Sequence, residues 1–340
     1  MELKSAIIGS SKFQRLEISF AAFMSTVKNY LSLIKFSHTI FAMPFALIGF
    51  FLAFIPVRFL YFPSDNEYEW VSFKNGGTWV EHFGLYPQNL RELLFRFVLV
   101  IFCMVFARSA AMAFNRYLDR KWDALNPRTA IREIPKGIIT PKNALVFTII
   151  NCILFIATTF FINRICFYLS PVALAVVLGY SYTKTFTPLC HLILGLGLSL
   201  APIGAYLAVT GFFHWLPILF SSAVLFWVSG FDIIYALQDV EFDQSQQLYS
   251  IPASIGKAKA LHVSELLHLL SAASVVAAGK FGHFGWLYWI GVLIFISCLI
   301  YQHSIVKPND LRKVNIAFMT TNGIASVVFA VFVIADLFLN

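Results

Sequence analysis

Long runs of apolar residues alternate with short polar segments along most of the chain. A helix needs about 20 mostly apolar residues to cross the hydrocarbon core of a membrane, and nine runs are long enough by eye. They lie near residues 39–61, 92–118, 142–163, 167–187, 189–212, 215–238, 260–280, 284–304 and 315–338. Pro188 separates the fourth run from the fifth, because proline interrupts a helix. The pattern predicts an all-α integral membrane protein, a bundle of nine transmembrane helices around a central cavity.

Composition supports a membrane protein over a soluble one. Hydrophobic residues make up 59% of the 340 positions and charged residues only 12%. Soluble domains carry roughly 25% charged residues, because their surface meets water. Much of the surface of this chain is therefore expected to meet lipid.

The distribution of basic residues predicts the orientation of the bundle. With the N-terminus inside, 18 of the 25 Lys and Arg residues fall in inner segments and six in outer ones. Cytoplasmic loops carry such an excess, so we expect a cytoplasmic N-terminus and an external C-terminus. The net charge of +8 is then a topology signal. Because these charges are scattered over short loops, we do not expect nucleic acid as a partner.

Three segments are distinguished along the chain. Residues 1–37 are expected to be a cytoplasmic amphipathic segment, since they have no clean apolar core followed by a cleavage site. Residues 38–338 are expected to form a single domain. A polar and aromatic insertion at about 62–90 is predicted to be external, with its aromatic residues at headgroup level.

Two acidic clusters mark the ends of the second and sixth predicted spans. One is Asn115-Arg-Tyr-Leu-Asp119-Arg-Lys-Trp-Asp123, and the other runs from Asp239 to Asp243. Residues four apart on a helix share a face, so each cluster predicts one stripe of oxygen ligands. Mg²⁺ favours such ligands, combined with substrate phosphate oxygens and water. The alternative is that these residues are solvated or cap helix ends.

Basic residues lie in the loop after the first cluster and at the end of the fourth predicted span. The loop contains Arg128, Arg132 and Lys136, and the span ends with Tyr180 and Lys184. Metal ions, Lys and Arg neutralise the charge that develops on a departing diphosphate. For the loop residues the alternative interpretation is cytoplasmic loop charge, whereas Lys184 is the only basic residue in its own loop.

Two charged residues are predicted inside spans, each seven residues before an acidic cluster. These are Arg108, before Asn115, and Asp232, before Asp239. An ionised residue at the centre of a span costs about 2.5–3.5 kcal/mol on insertion scales, so a role is expected for both. They either form a buried salt bridge or line a polar pocket for a small aromatic acceptor.

Taken in order, these motifs resemble those of the UbiA superfamily of intramembrane aromatic prenyltransferases, from about residue 35 to residue 335. The first cluster is similar to the family pattern N-D-x-x-D-x-x-x-D, with Arg116 in place of the second Asp. RTAIREIPKG at 128–137 is similar to R-T-x-x-R-P-L-P-x-G, and Tyr180 to Lys184 to the YxxxK motif. The second cluster, followed by SIPASIG at 250–256, is similar to the second acidic signature.

The resemblance implies a Mg²⁺-dependent transfer of a polyprenyl group from its diphosphate to a ring carbon of a hydroxylated aromatic acid similar to 4-hydroxybenzoate. It implies catalytic roles for Asp232, Lys184 and Tyr180, and substrate binding by Arg108, Arg128 and Arg132. The metal ligands implied are Asn115, Asp119, Asp123, Asp239 and Asp243.

The resemblance also implies a setting and leaves two alternatives open. The expected place is the quinone pathway of a bacterial inner membrane, with the isoprenoid tail in a tunnel open to membrane lipid. A dihydroxynaphthoate acceptor, as in menaquinone biosynthesis, is the first alternative. A secondary transporter with charges at the bilayer midplane is a remote one.

Overall fold

The computed structural model describes residues 25–35, 41–53 and 90–339. The predicted insertion at 62–90 lies outside this range except for Leu90, and so do residues 1–24 of the predicted N-terminal segment. Residues 25–33 of that segment are helical. The described part of the chain is helical throughout, without β-strands.

The helices are numbered here in chain order. They are α1 (Met43–Leu52), α2 (Leu90–Leu125), α3 (Pro141–Ile162), α4 (Arg164–Thr183), α5 (Cys190–Thr210), α6 (Trp215–Ala236), α7 (Val240–Ser245), α8 (Ile251–Ile255), α9 (Lys257–Phe281), α10 (Trp286–Ile305) and α11 (Asn322–Leu339). A 3₁₀ turn, Leu237–Asp239, joins α6 to α7, and a π-helical turn, Ile316–Thr321, leads into α11.

Eight helical segments of the described chain are long and apolar enough to cross a membrane, so the protein is an integral membrane protein. They are α2 to α5, α6 with its continuation to Ser245, α9, α10, and α11 with its π-helical turn. Their ends lie within four residues of the predicted bounds, except that α2 continues to Leu125 and the segment that begins with α6 continues to Ser245. The predicted total of nine is not confirmed, because the first predicted span is described only in part, as the ten-residue helix α1.

Local sequence explains where several helices begin. Thr140 caps α3 by accepting a hydrogen bond from the Asn143 amide at 3.2 Å, and Pro141 follows it at the first helical position. Proline is favoured there because its missing N–H would have no helical partner. Asn163 caps α4 by accepting from the Cys166 amide at 2.8 Å. The same side chain donates to the Leu207 carbonyl at 2.8 Å, which ties the α3–α4 corner to the end of α5.

Close backbone approaches hold α5 at the centre of the bundle. A Cβ at Gly49 would lie 2.0 Å from the Pro202 carbonyl oxygen, and a Cβ at Gly195 would lie 2.4 Å from the Leu225 carbonyl oxygen. Between membrane helices, small residues allow such approaches, which replace the hydrophobic driving force found in water. Glycine is therefore required where α5 crosses α1 and α6.

The connections at one end of the bundle lie at the helix ends that carry the two sequence-predicted acidic motifs. They are residues 126–140, 184–189, 240–256 and 306–315. Three of the four contact one another or the acidic motifs; for example, the Tyr249 amide donates to the Lys184 carbonyl at 2.7 Å. This end of the bundle, called the motif end below, carries the candidate site.

Candidate active site

The first acidic motif occupies the last turns of α2. Asp119 and Asp123 are each only 5% exposed, and the Asn115 amide donates to Asp119 Oδ2 at 3.2 Å. The helix continues through the whole motif, so these residues share one face, as predicted. Each aspartate keeps one buried oxygen, Oδ1 of Asp119 and Oδ2 of Asp123, that accepts no hydrogen bond within the described structure.

Basic residues pair with both aspartates of the first motif. Lys184, at the end of α4, places Nζ 2.7 Å from Asp119 Oδ2 and 5.4 Å from the centre of the Trp122 ring. Arg132 donates from Nη1 to Asp123 Oδ1 at 2.5 Å. Lys184 and Arg132 are two of the basic residues for which the sequence predicts contact with a diphosphate.

Arg116 is the residue that departs from the family pattern. It is 5% exposed, and its Nη1 lies 3.9 Å from Asp123 Oδ2. Its Nε has no hydrogen-bond partner in the described residues. At this position the chain therefore brings a buried positive charge to the first motif, where the family pattern has a carboxylate.

Arg128 joins the loop after the first motif to Asp239 of the second. Nε donates to Asp239 Oδ1 at 3.0 Å, Nη2 donates to Oδ2, and Nη1 donates to the Tyr235 hydroxyl at 2.8 Å. Asn126 adds a hydrogen bond to Asp239 Oδ1 at 3.1 Å. Burial alone lowers the pKa of Arg128, but the charge of Asp239 and the hydrogen bonds to Asp239 and Tyr235 outweigh burial and raise it. The guanidinium therefore stays charged and links the two motifs.

The second motif does not form the continuous helical stripe that its spacing predicts. The 3₁₀ turn Leu237–Asp239 interrupts the helix between Asp232 and Asp243. Because a 3₁₀ turn has fewer residues per turn than an α-helix, the seven-residue spacing no longer keeps Asp232 aligned with Asp239. Asp243 lies on α7, where its Oδ2 accepts from the Ser250 hydroxyl at 2.9 Å.

The two charged residues inside the spans have separate surroundings. Asp232 on α6 pairs with His191 on α5, with Oδ2 2.7 Å from Nδ1. Arg108 on α2 has a buried Nε without a partner in the described residues. A salt bridge between Arg108 and Asp232, one of the two predicted alternatives, is absent from the described structure. His191 is a site residue that the sequence analysis does not identify, since it belongs to none of the motifs.

An apolar cavity of about 370 Å³ opens between α2, α3, α4 and α5. Arg108, Met112 and Tyr180 line it towards the motif end, and Cys166 and Phe213 lie towards the opposite end. The 14 residues from Cys166 to Tyr180 on α4 span about 21 Å, at 1.5 Å per residue. Val172 and Phe213 are more than half exposed, so the wall is open to the lipid-facing surface.

The donor set at the motif end suits a divalent cation bound together with a phosphate group. Among the described residues, no three His, Cys, Asp or Glu side chains lie close enough together to bind one metal ion. The two buried carboxylate oxygens without partners, on Asp119 and Asp123, are hard ligands with free lone pairs. Mg²⁺ characteristically binds one or two carboxylates plus phosphate oxygens, so these residues fit that ion.

Comparison with protein families and curated proteins relates the chain to known sequences. The model of the UbiA prenyltransferase family matches residues 84–324. The 4-hydroxybenzoate octaprenyltransferase of Nitrosospira multiformis is 28% identical over 235 residues, which cover 68% of this chain and 81% of that protein.

Solved structures share the fold. A UbiA homologue from Aeropyrum pernix aligns with a TM-score of 0.68 and 25% identity, covering 89% of this chain and 97% of the homologue. A UbiA homologue from Archaeoglobus fulgidus, bound to GPP and Mg²⁺, aligns with a TM-score of 0.65 and 19% identity, covering 92% and 100%.

Proposed function

The chain belongs to the UbiA prenyltransferase family, and from this premise we propose that it transfers a polyprenyl group from its diphosphate to a ring carbon of 4-hydroxybenzoate or a similar hydroxylated aryl acid. As a member of this family it is a membrane-embedded prenyltransferase. The transporter alternative therefore loses its basis, because the family accounts for both the acidic motifs and the charges inside the spans.

One observation carries the proposal: the apolar cavity reaches Arg108, Met112 and Tyr180, beside the paired charges of the motif end. Tyr180 lies one helical turn from Lys184, which contacts Asp119. A molecule with an isoprenoid tail and a diphosphate head matches this change from apolar to charged surroundings. The tail would lie in the cavity and the head among the paired charges.

The basic residues would exchange partners when the donor binds. Lys184, Arg128 and Arg132 now neutralise carboxylates; in the complex they would donate to diphosphate oxygens. The metal would then be held by Asn115, Asp119, Asp123, Asp239 and Asp243. When bound, Mg²⁺ supplies neutralisation of the charge on the departing diphosphate.

The acceptor would bind where the cavity meets the charged end. Arg108 would hold its carboxylate, since Arg108 lines the cavity and its Nε has no hydrogen-bond partner among the described residues. Asp232 would accept a hydrogen bond from the ring hydroxyl, or its proton, and so raise the electron density of the ring. Tyr180 and the basic residues would assist as the carbon–oxygen bond to diphosphate breaks, and the ring carbon would form the new bond to the allylic carbon. The ring proton then passes to the released diphosphate, which restores aromaticity.

The name of the Nitrosospira multiformis relative supports 4-hydroxybenzoate as the acceptor, and we propose that the enzyme acts in a quinone pathway in a bacterial inner membrane. We propose that residues 38–338 form one domain. We also propose that residues 1–37 and the motif end are cytoplasmic, and that the 62–90 insertion and the C-terminus are external.

The acceptor is tested by product analysis with purified protein in lipid vesicles, Mg²⁺ and geranyl diphosphate. The panel contains 4-hydroxybenzoate, 4-hydroxybenzamide and a dihydroxynaphthoate. We expect a prenylated product from 4-hydroxybenzoate and little from the amide, which lacks the carboxylate. If only the dihydroxynaphthoate is prenylated, the enzyme belongs to menaquinone biosynthesis. No product from any acceptor would overturn the proposal.

A further inference from the structure

His191 is a buried histidine whose two ring nitrogens both have partners. It lies in the first turn of α5 and is 3% exposed. On one side Nδ1 is 2.7 Å from Asp232 Oδ2. On the other side the backbone amide of Ile251 donates to Nε2 at 3.4 Å. The ring therefore connects the start of α8, in the loop after the second acidic motif, to the carboxylate on α6.

The amide of Ile251 determines which ring nitrogen carries the proton. A backbone N–H can only donate, so Nε2 is the acceptor. In the neutral ring the other nitrogen then carries the hydrogen, and Nδ1 donates to Asp232 Oδ2. This hydrogen bond fixes the orientation of the carboxylate.

This contact leaves one oxygen of Asp232 for another partner. Within the described residues Oδ1 has no hydrogen-bond partner, and the side chain of Asp232 is 23% exposed. His191, by contrast, is fully engaged, because Nδ1 holds its proton against Asp232 and Nε2 accepts from Ile251. A proton accepted from a substrate hydroxyl would therefore remain on Asp232.

The backbone around the pair is fixed by the packing of α5 on α6. The Ser229 hydroxyl lies 3.1 Å from the His191 carbonyl oxygen and 2.7 Å from that of Leu225. One turn further along α5, a Cβ at Gly195 would lie 2.3 Å from Ser229 Oγ. The helices cannot slide apart or rotate without breaking these contacts, so the imidazole has a defined position relative to Asp232.

We propose that His191 is a positioning residue that fixes the Asp232 carboxylate and directs its Oδ1 towards the hydroxyl of the aromatic acceptor. The inference rests on the proposed function, because it assigns the partner of Oδ1 as that hydroxyl. It predicts an effect on the acceptor and not on the diphosphate, since His191 contacts neither Lys184 nor the arginines that pair with the motifs.

Two substitutions separate the positioning role from packing. His191→Asn retains a side-chain N–H near the position of Nδ1, whereas His191→Leu has a similar volume and no donor. We expect His191→Leu to raise the KM for the acceptor and lower kcat/KM by about 10- to 100-fold, as for loss of a hydrogen bond to a charged group. The KM for geranyl diphosphate should be unchanged. His191→Asn should restore most of the acceptor affinity.

Binding of geranyl thiodiphosphate with Mg²⁺ checks that each variant is folded. If His191→Leu fails that check, the double-mutant cycle of His191→Ala with Asp232→Asn decides, because a residue that acts through Asp232 adds no further loss once the carboxylate is gone. Three results would overturn the positioning role. They are an equal loss of kcat/KM in His191→Leu and His191→Asn, a parallel change in the KM of both substrates, and additive losses of kcat/KM in the double-mutant cycle. If the wild-type protein transfers a prenyl group to no acceptor, the proposed function is overturned and this inference with it. If the wild type is active and the His191 variants have unchanged kinetics, only the inference is overturned.

Discussion

Lys184 Nζ lies 2.7 Å from Asp119 Oδ2, so the single basic residue of the α4–α5 connection neutralises the central carboxylate of the first acidic motif. The same relationship recurs between Arg128 and Asp239 and between Arg132 and Asp123. Residues proposed to bind diphosphate and residues proposed to bind metal are thus partners of one another. Binding of diphosphate would release the basic residues from these pairs, and binding of the metal ion would release the carboxylates.

This pairing predicts that diphosphate and Mg²⁺ bind together. The proposed metal ligands include four aspartates, and four basic side chains pair with three of them in the described structure: Arg116, Arg128, Arg132 and Lys184. A diphosphate that binds alone would be repelled by the carboxylates, and a metal ion that binds alone would be repelled by the basic side chains. We expect inorganic pyrophosphate to bind about tenfold or more tightly with Mg²⁺ present, a typical coupling between two ligands. Equal affinity with and without Mg²⁺, measured by calorimetry, would contradict the exchange of partners.

Lys184→Gln should reduce prenyl transfer by about 100-fold, the size of effect seen when one donor to a developing negative charge is lost. Lys257→Gln is the matched control. Lys257 also pairs with a carboxylate at 2.7 Å, but its partner Glu241 is 73% exposed and is not one of the proposed metal ligands. Steady-state kinetics with geranyl diphosphate compare the two. A similar loss in both variants would mean that Lys184 contributes only through its ion pair.

Arg108→Gln should remove the preference for an acidic acceptor. The buried Nε of Arg108 is proposed to bind the carboxylate, so the variant should lose about 10- to 100-fold in kcat/KM for 4-hydroxybenzoate. Activity with 4-hydroxybenzamide should change little, and so should the KM of the donor. If kcat/KM falls equally for both acceptors, Arg108 has a structural role and does not bind the carboxylate.

Gly204→Phe should limit the length of the donor. Gly204 lines the cavity, and a Cβ there would meet no atom within 4 Å, so a phenyl ring would occupy the space proposed for the tail. We expect transfer from geranylgeranyl diphosphate to fall much more than transfer from geranyl diphosphate. Gly179→Phe is the control, because a Cβ at Gly179 also meets no atom within 4 Å but the residue does not line the cavity. An unchanged length preference in Gly204→Phe would place the tail elsewhere.

The sequence predicts the bundle well because membrane helices follow simple rules. A spanning helix must satisfy its backbone hydrogen bonds internally, so a long apolar run identifies it without reference to its neighbours. The ends of α3 and α5 therefore match their predictions within two residues. The extension of α2 to Leu125 is harder to predict, because its last turns are polar and are buried by contacts with other connections.

The candidate site is predicted less completely because its contacts join distant parts of the chain. Spacing on one helix correctly groups Asn115, Asp119 and Asp123. It cannot predict that Arg128 reaches Asp239, 111 positions away, nor that the 3₁₀ turn Leu237–Asp239 breaks the second stripe. His191 is a lone histidine outside every motif, and only the packing of α5 against α6 relates it to Asp232.

The most direct test is to measure prenyl transfer to 4-hydroxybenzoate, with and without Mg²⁺, by wild type, Asp119→Asn, Asp239→Asn and Asp310→Asn. Asp310 is the control, since it pairs with the exposed Arg312 at 2.8 Å away from both motifs. We expect product from wild type and Asp310→Asn only when Mg²⁺ is present. The two motif variants should be at least about 100-fold less active, while all four proteins are extracted from membranes in equal, monodisperse yield. Wild-type activity in Asp119→Asn or Asp239→Asn would contradict a single diphosphate site built from both acidic motifs.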